Sequence, residues 1–155
     1  MKGQALNEQA VQQYLYDHIP LSRAMQVAVS SVQPDEVILS APLAPNINHQ
    51  ETVFGGSASA VAILAAWSLL HVRLNIAGIK SQLVIQGNTM QYELPIRGTF
   101  TARAYITEPA AWQRFVRTFE RRGRARISVT SVLEYEGRQA GILQGEFVAL
   151  APEAN

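Results

Sequence analysis

Apolar positions along the chain change period several times, and each period predicts an element. Leu6, Ala10, Val11, Tyr14 and Leu15 recur at helical spacing and predict an opening helix over about residues 6–19, stopped before Pro20. Met25 to Val32 alternates loosely through Val27, Val29 and Val32, and Glu36 to Leu43 follows a turn at Pro34-Asp35. These two segments predict a hairpin. A long apolar stretch comes next, predicting a central helix over about residues 55–76.

From Thr52 to Val72 that stretch has no aspartate, glutamate, lysine or arginine, long enough to raise the question of a membrane span. Yet it is rich in alanine, serine and glycine, closes on His71 and Arg73, and has no basic cluster on a flank. A helix apolar on all sides is also what the centre of a folded domain requires. The alanines at 58, 60, 62, 65 and 66 let such a helix lie close against a curved sheet. The reading is a buried core helix and no membrane partner.

Ile79 to Tyr92 predicts a strand, with a bulge or bend at Gly87-Asn88 and a stop at Pro95. Gly98 to Thr107 alternates cleanly, Phe100, Ala102, Ala104 and Ile106 sharing one face. Pro109 suits the first turn of a helix, in which Trp112, Phe115, Val116 and Phe119 form one apolar face ending at Gly123. Arg126 to Tyr135 and Gln139 to Leu150 are two further strands joined at Glu136-Gly137. Strands curled around one apolar helix make an α+β layered fold.

At 155 residues, 48% hydrophobic and 16% charged, the chain has the size and composition of one domain spanning 1–155. A net charge of +1 favours neither a nucleic-acid nor an acidic partner on global electrostatics. With no cysteine, disulfides and thiolate chemistry are excluded. Three histidines without ligand spacing predict no metal site. Met1, Lys2 and Gly3 begin a polar terminus without an apolar signal core, which predicts a cytoplasmic location.

The candidate chemistry is concentrated just ahead of the central helix, in Asn46-Ile47-Asn48-His49-Gln50-Glu51-Thr52-Val53-Phe54-Gly55-Gly56-Ser57. A polar loop, two glycines and a helix start bring backbone N–H groups to a place where a substrate oxygen could sit. The same segment, extended back to Leu43-Ala44-Pro45 and supported by Leu64, Trp67 and Gly123-Arg124-Ala125-Arg126-Ile127, resembles a bacterial family of thioesterase-like domains. Members of that family also occur fused behind GNAT-type acetyltransferase domains. The element order, likewise, resembles the hotdog fold, an antiparallel sheet wrapped around one long helix.

The resemblance implies thioester chemistry on acyl-CoA or acyl-carrier-protein substrates, the coenzyme A moiety being part of the substrate and no separate cofactor being needed. It also implies a homodimer, or a dimer of dimers, with the site between subunits. Asn48, His49 and Glu51 are the candidate catalytic residues: His49 as general base, Glu51 as base or nucleophile, Asn48 holding water or the thioester oxygen. Asn46, Thr52, Phe54, Gly55, Gly56 and Ser57 are the candidate substrate-binding and oxyanion positions. Loop Asn, His and Glu residues also commonly bond their own backbone or face solvent.

The sequence departs from the family pattern in one respect. Many hotdog thioesterases place an acid about two turns into the central helix, where this chain has Ala62-Ile63-Leu64-Ala65, with no acid between Glu51 and Glu93. Catalysis run from the loop is one reading, and a non-catalytic acyl-CoA or carrier-protein binding module is the alternative. A hydratase or dehydratase, which pairs a loop residue with a helix acid, is the third. Arginines at 114, 117, 121, 122, 124 and 126 concentrate positive charge and read as a solvated helix face.

Overall fold

A computed structural model describes residues 6–153. Met1, Lys2 and Gly3, read above for targeting, lie outside the described residues. The chain opens with α1 (Glu8–His18), whose N-cap Asn7 accepts the Ala10 N–H at 2.8 Å, and Val11 and Leu15 are its buried residues. Pro20 does end α1, and it also starts a short α2 (Pro20–Ala24) that the pattern did not predict. A proline at the first helical position supplies the required φ and forgoes an N–H that would have no partner there. The segment from Met25 is therefore strand only as β1 (Ala28–Gln33), paired with β2 (Glu36–Ala41) as a hairpin.

After a single 3₁₀ turn at Ala44–Asn46 and the motif loop comes α3 (Gly55–Ile76), the predicted central helix. Strands β3 (Gln82–Tyr92) and β4 (Phe100–Ile106), helix α4 (Ala111–Arg122), and strands β5 (Arg124–Tyr135) and β6 (Arg138–Leu150) complete the order. Pro109 stands ahead of α4 rather than in its first turn, the N-cap being Ala110. The helix ends as predicted at Gly123, whose φ of 69° is the left-handed conformation that suits glycine. The β5–β6 hairpin turns on Glu136 and Gly137, both at positive φ, the geometry that matches strand twist.

All six strands form one antiparallel sheet in the order β1-β2-β4-β5-β6-β3. It curls around α3, which packs against β2, β3, β4, β5 and β6. This is the hotdog fold. Although α3 is long and apolar enough to cross a membrane, 61% of its most apolar window is buried inside the protein. Val61, Ala62, Ala65, Ala66, Leu69 and Leu70 are fully enclosed against Leu39, Phe100, Leu143 and Phe147 of the core.

The β3 bulge lies one residue before the predicted position, where the register against β6 shifts between Ile85 and Gly87. One extra residue reverses the side-chain alternation. Leu83 and Ile85 before the bulge and Met90 after it can thus all pack on the core. At the other end of α3, Arg73 lies 4.5 Å from the ring centroid of Trp112 on α4, so this tryptophan joins two helices.

Candidate active site at the start of the central helix

Asn46 is the root of the motif loop. Its side chain is buried and its Nδ2 donates to the carbonyls of Met25 (2.9 Å) and Pro42 (2.8 Å). Its own carbonyl accepts the Phe54 N–H at 2.7 Å, closing the loop into a neck reinforced by the Ile47–Val53 bridge. Asn48 organises the tip. Its Oδ1 accepts from the N–H groups of Gln50 (2.8 Å) and Thr52 (3.1 Å), and its Nδ2 donates to Thr52 Oγ1 at 2.9 Å. Short polar side chains hold turns in this way. The Nδ2 of Asn46, both ends of the Asn48 amide and the hydroxyl of Thr52 are thereby engaged within the protein, while the buried Asn46 Oδ1 has no hydrogen-bond partner among the described residues.

His49 and Glu51 are exposed on the outer side of this tip, and Glu51 has a φ of 64°. They are neighbours on one loop, as the sequence placed them, but neither lines the cavity at the start of α3. Val53 donates its N–H to the Ile96 carbonyl at 2.8 Å, tying the loop's exit to the segment that follows β3.

At the start of α3 the N-cap is Phe54, with no side chain capping the helix. The first intrahelical bond runs from Ala58 N–H to the Phe54 carbonyl at 3.0 Å, so the N–H groups of Gly55, Gly56 and Ser57 precede the ladder. They carry the positive end of the helix dipole. Of the two glycines, Gly56 makes room for a ring. A Cβ on Gly55 would sit 3.5 Å from Tyr92, and one on Gly56 would fall 2.4 Å from the exposed Phe54 ring. Ser57 is half-buried.

Beside Gly55 opens a cavity of about 350 Å³. Val53, Ala58, Leu94, Ile96, Leu133 and Ala140 give it apolar walls, and the exposed residues Tyr92 and Glu93 also line it. Tyr92 Oη donates to the Gly55 carbonyl at 3.0 Å, and Glu93 Oε1 accepts from Gln139 Nε2 at 2.8 Å. Tyr92 and Glu93 were not among the candidates from sequence. Their only trace there is a polar Gln-Tyr-Glu run at a strand's end, and thirty-seven residues separate Tyr92 from the glycine it binds.

Besides a cavity of about 510 Å³ by Arg122, Arg124 and Val148, two further concavities are larger than the one beside Gly55. One of about 550 Å³ lies between β3 and the later turns of α3, beside Tyr14, Trp67 and His71. Another of about 400 Å³ lies by α4 and is edged by Arg114, Arg126 and Glu146. Neither includes the motif loop or the start of α3.

Known proteins give this geometry a context. A family model described as "Putative thioesterase (yiiD_Cterm)" matches residues 8–151. A protein of unknown function from Chlorobaculum tepidum TLS is similar in structure, with a TM-score of 0.88, 28% identity, and 96% of this chain and 99% of that one covered. A structure titled as a putative thioesterase from Shewanella oneidensis matches at TM-score 0.80 and 24% identity, covering 94% and 97% of the two chains. A Haemophilus influenzae thioesterase shares the fold at TM-score 0.77 and 13% identity, with 99% and 98% covered. With the motif loop, the uncapped helix start and the hotdog sheet all in one chain, the protein belongs to the putative thioesterase (yiiD_Cterm) family.

Proposed function

We propose that this protein hydrolyses acyl thioesters, with the acyl group carried on coenzyme A or on an acyl carrier protein. The observation that carries this reading is the uncapped start of α3 opening on an apolar cavity in a chain of the thioesterase family. Thioester hydrolysis places negative charge on the carbonyl oxygen, and the N–H groups of Gly55, Gly56 and Ser57 are the donors proposed to receive it. Oriented donors of this kind are each worth about 3–4 kcal/mol in a transition state. The apolar walls take the acyl chain, and the thiol half extends past Phe54. Asn46, Asn48 and Thr52 hold the loop in shape. His49 and Glu51 are the exposed ionisable side chains of this loop and the first candidates to test.

The same reading includes a second copy of the chain. The outer edge of β3 pairs with no strand among the described residues, and Val84 and Tyr92 on it are exposed. Gly56, Ala60, Ile63 and Trp67 form a half-open, largely apolar stripe along α3. An antiparallel edge can pair with its own copy about a twofold axis, and such pairing removes an exposed edge. The alternative is an acyl-thioester binding module without turnover, favoured by the lack of any acid on α3.

Thiol release from short-, medium- and long-chain acyl-CoAs and from acyl carrier protein tests the reading, with His49→Ala and Glu51→Ala alongside. Turnover is the expected result. Saturable acyl-CoA binding with no thiol release from any substrate would establish the binding module instead.

A further inference from the structure

The geometry points to Glu93 as the carboxylate that activates water in this reaction, the acid that α3 itself lacks. The inference rests on the thioesterase reading and deepens it. Among the described residues lining the cavity beside Gly55, Glu93 is the one carboxylate, and no other side chain there can take a proton from water near neutral pH.

Glu93 is exposed, and two hydrogen bonds hold it. The Glu93 backbone N–H donates to the Ala140 carbonyl at 2.8 Å, and Oε1 is held by Gln139 Nε2 at 2.8 Å. A carboxylate has two oxygens, so this bond orients the group and keeps acceptor capacity for a water. Gly141 lets the strands close up here, since a Cβ on it would lie 2.8 Å from the Gln91 carbonyl oxygen. The preceding residue, Tyr92, is bonded to the first residue of α3, so the end of β3 is pinned to the proposed oxyanion donors. Glu93 lies one residue past β3, so this pinned strand end limits where its backbone can go. Glu51 is exposed as Glu93 is, but it sits on the loop tip and does not line the cavity beside Gly55.

The step balances without a further reactant. As the water oxygen bonds to the thioester carbon, its proton passes to Glu93 and the carbonyl electron pair moves onto oxygen, facing the N–H groups of Gly55, Gly56 and Ser57. Collapse restores the carbonyl and breaks the C–S bond, the electron pair leaving with sulfur. Glu93 then returns its proton to the thiolate. The products are a carboxylic acid and a thiol.

The test compares wild type, E93Q and E93D as full-length protein on the acyl-CoA or acyl-carrier-protein substrate turned over best. E93Q keeps size and an oxygen for Gln139 but cannot accept the proton. We expect kcat to fall on the order of 10²- to 10⁴-fold with KM little changed. The acid limb of the kcat–pH profile should disappear in E93Q, and E93D should recover part of the rate. Thermal unfolding of E93Q and E93D near that of wild type excludes a folding defect. Wild-type turnover matched by E93Q, with the acid limb intact, would overturn the role of Glu93 and leave the thioesterase reading standing. A wild type that releases thiol from no acyl-CoA and no acyl carrier protein would overturn both.

Discussion

The phenol of Tyr92 donates to the carbonyl of Gly55 at 3.0 Å, joining the last residue of β3 to the first residue of α3. Of the two glycines beside it, Gly56 leaves space that an aromatic ring occupies. A Cβ on Gly55 would meet Tyr92 at ordinary contact distance, whereas one on Gly56 would collide with Phe54. The helix start, the end of the edge strand and the cavity between them thus form one mechanical unit.

Tyr92→Phe removes that tie and keeps the ring. Because Tyr92 is 59% exposed, water replaces the lost bond and the cost should be small, about 0.5–1 kcal/mol. A melting temperature about 2–3 °C lower in differential scanning calorimetry is the expected result. Thioester turnover should fall further than stability does, because the bond positions the site more than it supports the core.

Asn46 carries the loop's attachment to the rest of the protein. Asn46→Ala strips the Met25 and Pro42 carbonyls of their donor in a buried place, a loss of about 2–3 kcal/mol in urea unfolding. Asn46→Asp should be worse at neutral pH. A carboxylate cannot donate, and it would place negative charge against both carbonyl oxygens. Equal stability of the two variants would contradict this account.

Glu51 holds a φ of 64°, a conformation that costs L-residues other than glycine roughly 1 kcal/mol. Glu51→Gly should therefore be more stable than Glu51→Ala by about that amount in matched denaturation curves. Any activity lost by both variants alike then reports on the carboxylate, since the two differ in backbone strain.

His71 stacks on Trp67 with ring centroids 4.8 Å apart and meets Tyr14 at a tilt at 4.5 Å, and His18 meets Tyr14 at a tilt at 4.1 Å. Burial, and then the charge of His18, hold the His71 pKa below its ordinary value. The unfolded chain therefore takes up this proton at higher pH than the folded one. The stability from neutral His71 is fully present above about pH 6.5 and is lost progressively as pH falls below it. His71→Gln should flatten that part of the stability–pH curve, measured by chemical denaturation between pH 7.5 and 5.

Most of the fold could be read from periodicity, because hydrophobic spacing is a local property. The central helix appears at the predicted residues, and Phe100, Ala102, Ala104 and Ile106 are buried on one strand face as their alternation required. The short α2 was hidden because five residues hold too few turns to reveal a period, and Pro20 served equally as a stop and as a start. The β3 bulge was displaced by one residue from Gly87 because register against β6, rather than glycine itself, sets where the extra residue falls.

The sequence by itself determined that one apolar helix would lie at the centre, that a polar loop would precede it, and that two glycines would stand at its start. Those are properties of neighbouring residues, written in spacing and side-chain chemistry. Only the tertiary structure decided which polar groups are engaged in the loop and which face outward, spending Asn46 and Asn48 on backbone partners and exposing His49 and Glu51. It also brought Tyr92 and Glu93 to the helix start. The physical reason is that β3 pairs along β6 and returns its end beside α3, a closure between distant segments that no local pattern encodes.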